Sequence, residues 1–288
     1  MTAQTHSQVT HDLRLAARQG LLPARGSGWL AGFGNMFSKE LGKWFHTRRW
    51  LWQLLIWLII INGFVAFMLF VIPMFEAKGL QAVGTGDTSM IPPEAMGFYW
   101  AFPLMVMFGI VGAVILALDE IIQEKQSGTA AWILSKPAAR SAFILTKLLS
   151  NLLGALIFIL VIPGLVTLGE TYLAAHKVVP LVPLLAGLGV ALLALACYIS
   201  LTILLGVLFG SRGPVLGIAI GTLVIGRMLA GFFPPLAYVL PVTLDGATQV
   251  IIMGVPLPAM MVSQVICTAV LTVVFTLVAL WRFRKLEL

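Results

Sequence analysis

Six long apolar runs, separated by short polar or glycine- and proline-rich breaks, organise this chain: Trp50–Phe75, Gly97–Leu118, Phe143–Leu168, Leu181–Phe209, Pro214–Ala230 and Ala259–Trp281. Each approaches or exceeds the roughly 20 residues that a helix needs to cross a hydrocarbon core. The strands of a membrane barrel would instead show short alternating segments, and these runs are continuous. The pattern predicts an all-α membrane protein with six transmembrane helices. Ahead of the first run, Leu30, Phe33, Phe37, Leu41 and Trp44 recur every three or four residues, while Asn35, Lys39, Lys43 and His46 fall on other faces. That spacing is one face of a helix, and such a helix lies in the membrane interface. The expectation is an N-terminal interfacial helix, with the start of one long first helix as the alternative.

The stretch Gly231–Pro258 breaks the pattern. It is largely apolar, yet Pro234, Pro235, Pro241, Gly246, Gly254, Pro256 and Pro258 cut it into pieces too short to cross. Irregular backbone at membrane depth needs shielding by protein or water. The chain therefore predicts short re-entrant or interfacial helices at Phe232–Leu240 and Thr248–Met253, or else an apolar loop packed on its own helices. Residues 1–28 form a polar tail without the apolar core of a signal peptide; residues 29–288 form one transmembrane domain.

Composition agrees. Apolar residues make up 60% of the chain and charged residues 10%, with a mean hydropathy of +1.01, against about 25% charged in soluble domains. The placement of charge says more than the net +7. With six crossings and the N-terminus inside, Lys78 and Lys177 fall outside, Arg227 lies within a span, and the other Lys and Arg residues fall inside. This is a positive-inside pattern, and it places both termini in the cytoplasm of a multi-pass protein of the cell (inner) membrane. The basic residues hug span ends rather than forming a compact patch, so no nucleic acid is expected. Cys197 and Cys267 fall inside spans, where they act as small apolar residues.

Little in the chain suggests catalysis. It has no Gly-x-x-x-x-Gly-Lys-Ser/Thr phosphate loop, its four histidines are scattered, and no metal-ligand spacing appears. No catalytic residue and no metal site is expected. A membrane transferase using Asp119, Glu120 and Glu124 to hold magnesium is one alternative, although a second acidic cluster is missing. A secondary transporter or channel is another, and would want paired ionisable groups within spans. Arg227 alone meets that description. It is a candidate pathway residue, pairing with Glu170 or Asp245, or a side chain reaching to the outer head groups.

The segment Asp119–Lys147 is the polar exception between two apolar runs. Glu120 and Glu124 are one helical turn apart with Lys125 beside the second, so the first half predicts a solvated helix leaving the second span. Gly128 permits a sharp turn, and Thr129 can cap a short helix that carries Trp132, Ile133 and Leu134. Ser135 and Pro137 suit the start of the third span, where Arg140 and Lys147 can reach head groups. The aromatic tip suits a cleft in a partner protein; an ordinary loop with its Trp at the lipid interface is the bland alternative.

The spacing Glu124-Lys125-x-x-Gly128-Thr129, then Leu134-x-x-Pro137-x-x-Arg140 and Lys147, resembles the signature of ABC-2-type permeases, the membrane subunits of type V ABC transporters. The six-span layout, the N-terminal helix and the broken outer segment fit the same resemblance, which covers nearly the whole chain after about residue 28. Ala130-Ala131 and Lys136 depart from the pattern at positions where a bulkier residue and a small or hydroxyl residue are usual. The resemblance implies a non-enzymatic permease subunit, an exporter. Its coupling helix would enter a groove on a separate ATPase through Glu120, Glu124, Lys125, Gly128, Thr129, Trp132, Leu134, Pro137 and Arg140. It implies a pair of ATPase subunits that carry the ATP and magnesium, with no cofactor in this chain. It also implies a second permease copy or paralogue, contact with membrane lipid, and room for an extracytoplasmic accessory protein.

Overall fold

The computed structural model describes residues 28–45, 48–78, 88–127 and 139–285, except for the side chains of Phe45, Arg49, Asp119 and Glu120. The helices are α1 (Phe33–Phe45), α2 (Trp50–Ala77), α3 (Met96–Gln126), α4 (Arg140–Ala175), α5 (Leu181–Leu208), α6 (Arg212–Phe232), α7 (Leu244–Ile252) and α8 (Ala259–Arg284). No strand occurs among the described residues. Helices α2 to α6 and α8 are long and apolar enough to cross a membrane, so the six expected spans are present and the chain is a multi-pass membrane protein.

Helix α5 is the hub. Its most apolar stretch is 72% buried, against 11% for α8 and 28% for α2 and α6. It packs on α3, α4, α6, α7 and α8, while the peripheral helices present Val, Leu and Ile outward. An apolar exterior of this kind needs lipid rather than water around it. Phe98, Phe102 and Met105 of α3 and Leu195, Tyr198 and Ile199 of α5 lie in the core.

The helices run past the apolar runs that announced them. Helix α3 continues about two turns beyond Leu118 and carries Glu124 and Lys125, so a helix does leave the second span, but it is not the solvated one expected: Ile121, Ile122 and Glu124 are buried against the bundle. Helix α4 begins at Arg140, and its π-helical turn at Leu156–Val161 comes just before Pro163, where the ring breaks the regular hydrogen-bond ladder. Helix α2 carries two π-helical turns, Leu58–Asn62 and Phe67–Val71.

The broken segment resolves into a 3-10 turn at Pro234–Tyr238 and α7. Helix α7 starts four residues before the expected Thr248. Its Leu244, Ala247, Thr248 and Ile252 are buried, and it packs on α3 and α5. Gln264 of α8 holds the segment in place, donating to the Ala237 carbonyl and, at 2.8 Å, to Thr243 Oγ1.

Helix α1 is separate from α2, with Arg48 in the turn between them. It follows α4. The Ala139 amide donates to the Ala31 carbonyl at 2.9 Å, Glu40 meets Lys147, and Trp44 stacks on Phe158 with centroids 5.5 Å apart. Both partners advance in the same direction, so α1 runs alongside the opening turns of α4 rather than across them.

Candidate functional site

Five charged side chains converge where α1, α3 and α4 meet. Lys147, seven residues into α4, is 1% exposed. Its Nζ lies 3.3 Å from Glu40 Oε1 and 3.1 Å from Glu124 Oε1. Lys43 lies 2.7 Å from Glu40 Oε2 and 3.5 Å from Glu124 Oε1, and the more exposed Lys39 is 3.8 Å from Glu124. Lys147 also sits 5.0 Å above the Phe143 ring. Three cations thus share two carboxylates, with Lys147 as the member that touches a different helix through each partner.

Desolvation makes such a group costly unless every charge is met, and this one is nearly so. Glu124 Oε2 is buried without a hydrogen-bond partner among the described residues. Burial pushes the Glu40 carboxyl up, but the ammonium groups of Lys147 and Lys43 outweigh it and hold the group below its ordinary 4.5. The buried Trp44 indole follows one turn after Glu40 on α1. It lies so close to Gly154 of α4 that any Cβ there would overlap the ring. Glu40 and Trp44 are one turn apart on α1, and Lys147 and Gly154 are two turns apart on α4, so each pair lies on one face of its helix.

Two more basic residues tie the same end of the bundle together. Lys125 Nζ donates to the carbonyls of Gly206, Val207 and Phe209 at 3.2–3.3 Å, capping the C-terminus of α5, where a cation is favoured. Arg140 Nη1 does the same for α8, donating to Arg284 O at 3.0 Å and Phe283 O at 3.4 Å. Phe143 stacks flat on Phe283 beside it.

Of the expected coupling residues, Glu124, Lys125 and Arg140 therefore lie together at one end and turn toward the bundle. Arg140 and Lys147, expected at lipid head groups, make protein contacts instead. Gly128, Thr129, Trp132, Leu134 and Pro137 lie outside the described residues, as do the side chains of Asp119 and Glu120. Glu40 was missed. It is the single acidic residue of α1, placed between Lys39 and Lys43, and that isolation was the available signal. Among the described residues no group of three or more His, Cys, Asp or Glu side chains could hold a metal ion.

At the opposite end, Arg227 Nη2 pairs with Asp245 Oδ2 at 2.7 Å, and its Nη1 donates to Val242 O at 3.4 Å. Of the two expected partners, Asp245 is the one used; Glu170 instead accepts from Asn62 at 3.2 Å. The pair ties α6 to the start of α7. Its members are unequally buried, at 42% and 12% side-chain exposure. Arg227→Ala should thus cost more than Asp245→Ala, about 2 kcal/mol, because it strands the buried carboxylate. The double variant should cost less than the sum of the single changes, read as melting shifts in detergent.

The fold and the charged end together define a multi-pass α-helical membrane protein with an ion-paired cluster at one end. The chain belongs to the family described as Protein of unknown function (DUF2705), which matches residues 87–288. The matched stretch takes in Glu124, Lys147 and Arg227 and leaves out α1 with Glu40. A comparison with curated proteins found no match.

Proposed function

We propose that this chain is the membrane permease subunit of an ATP-driven ABC exporter of the ABC-2 type. It would sit in the cell membrane with both termini in the cytoplasm and be worked by a separate ATPase pair through the loop at residues 120–140. The observation that carries this reading is the buried cluster of Glu40, Glu124 and Lys147. Glu124 stands four residues before Gly128 and Lys147 seven residues after Arg140. The two stems of the loop are therefore clamped to each other and to α1 by the same ammonium group. A loop that only links two spans has no need of a rigid base. One that receives a push from a partner does, because a flexible base would absorb the displacement.

Lys125 and Arg140 extend that base to α5 and α8. A displacement of the loop would then reach the hub helix and the last span together, and from α5 pass to α7 and the Arg227–Asp245 pair at the outer end. This chain supplies no phosphate loop, so nucleotide and magnesium belong to the partner. A second permease copy or paralogue would complete the pathway.

Co-expression with an ATPase subunit encoded beside it should give a complex that survives purification. Trp132→Ala combined with Gly128→Pro should abolish that complex while the permease alone stays folded. A complex that forms equally well with the doubly altered chain would overturn the docking role.

A further inference from the structure

At the end of the bundle opposite the charged cluster, α2, α3 and α4 enclose a cavity of about 210 Å³. Its walls include Met68, Leu69 and Ile72 of α2, Trp100 of α3 and Ala174 of α4, with Thr88 and Pro93 from the segment before α3, and Glu76 stands at its rim. Glu76 is the one charged residue among those lining it, and no described residue pairs with it. The neighbouring Glu94 is already answered by Lys177 at 3.5 Å. Trp100 is set by edge-on contacts with Phe64, at 6.2 Å, and Tyr99, at 5.4 Å, so its ring is a fixed wall.

Two further acceptors, the Glu170 carboxylate and the Asn62 carbonyl oxygen, lie on the neighbouring turns of α4 and α2. Glu170 lies one turn before Ala174 on α4. Its carboxylate meets the Asn62 amide nitrogen, which also faces Pro163 O and Thr167 Oγ1, each at 3.0 Å. The Asn62 carbonyl oxygen is buried without a partner among the described residues. An apolar cavity with an aromatic wall and a carboxylate as its one charged lining group favours one kind of ligand. A compact apolar body fills the walls, and its positive charge is held by a carboxylate at the mouth and a ring face within.

We infer that this cavity binds a free organic cation, an ammonium compound with a compact apolar body, with Glu76 holding the charge and Trp100 and the Met68–Ile72 surface holding the body. This goes beyond the transporter reading and does not rest on it, because binding needs neither ATP nor a partner.

The test uses the purified full chain in a neutral detergent, with labelled benzyltrimethylammonium as the cation, in equilibrium dialysis. One saturable site per chain is expected. Glu76→Gln should weaken binding about tenfold or more, the loss of one charge contact with the ligand, and Glu76→Asp should retain most of it. The anion p-toluenesulfonate should not compete. Glu76 is exposed at a helix end, so both variants keep the fold, as melting curves would verify. Absence of saturable binding, unchanged affinity in Glu76→Gln, or competition by p-toluenesulfonate would each overturn the inference. Displacement by one equivalent of phosphatidylcholine would assign the cavity to a lipid head group and overturn it too. None of these results would touch the coupling role of the charged cluster.

Discussion

Replacing Lys147 by methionine should lower the melting temperature by roughly 6–9 °C. The side chain keeps its length but loses its charge, leaving Glu40 and Glu124 buried against Lys43 and Lys39 alone. Removing one member of a buried ion pair costs about 3–5 kcal/mol. The low end applies here because Lys43 still lies 2.7 Å from Glu40 and 3.5 Å from Glu124. At about 2–3 °C per kcal/mol for a chain of this size, about 3 kcal/mol gives the shift stated. The readout is built in: Cys197 is buried, so in a Cys267→Ala background a thiol-reactive dye reports unfolding. Adding Glu40→Leu and Glu124→Leu to Lys147→Met should recover most of the loss, since apolar groups of similar volume replace a buried ion pair without penalty. A triple variant no more stable than the single one would place the cost in packing and remove the electrostatic account.

The pH dependence has a definite sign. The folded Glu40 carboxyl lies below its ordinary 4.5, so its contribution is fully present above about that value. It is lost as pH falls through the lower folded value. In the native chain α1 should stay docked down to about pH 4.5. Lys147→Met removes the strongest influence holding the carboxyl down, so its acid transition should move to higher pH.

The spans were legible because bilayer thickness demands long unbroken apolar runs, and nothing else in a sequence looks like Leu181–Leu208. Helix ends were less so. Helices α3 and α4 extend well beyond their apolar runs, because protein contacts replace lipid there. Lys125, Arg140 and Lys147 appeared as charges at span ends, as membrane anchors do, yet each is met by a partner distant in the chain: the end of α5, the end of α8, and Glu40. The apolar stripe of α1 was only partly the docked side. Trp44, its last member, is buried against α4, whereas Leu30 at its start is exposed and Glu40, off the stripe, is buried. A hydrophobic stripe identifies what shuns water without saying whether lipid or protein covers it. A Glu that finds a buried Lys can be the more deeply placed residue. The Arg227–Asp245 pair was half legible, since the cation in a span required an acid and offered two.

Gly154→Leu should release α1 from α4. The Trp44 ring occupies the space that a side chain at Gly154 would need, and it cannot slide away because Phe158 lies flat against it, at an interplanar angle of 10°. The helix must then back off as a unit, carrying Glu40 away from Lys147 one turn earlier. Overpacking costs about 1–3 kcal/mol, and the lost burial of Trp44 adds about 3 kcal/mol, the scale of a large aromatic removed from a core. Two strategies separate these parts. Trp44→Ala alone should destabilise by about 3 kcal/mol. Trp44→Ala with Gly154→Leu should be more stable than Trp44→Ala alone, because the new leucine fills the space the indole leaves; this is the coupled behaviour expected of residues in contact. Limited proteolysis between residues 45 and 50 gives the structural readout, with cleavage fast in Gly154→Leu and slow in the double variant. If α1 serves only to cover α4, both variants would form the ATPase complex as readily as the native chain. If it braces the loop stems through Glu40, Gly154→Leu should lose the complex and the double variant should regain it. Equal complex formation in all three chains would separate α1 from coupling altogether.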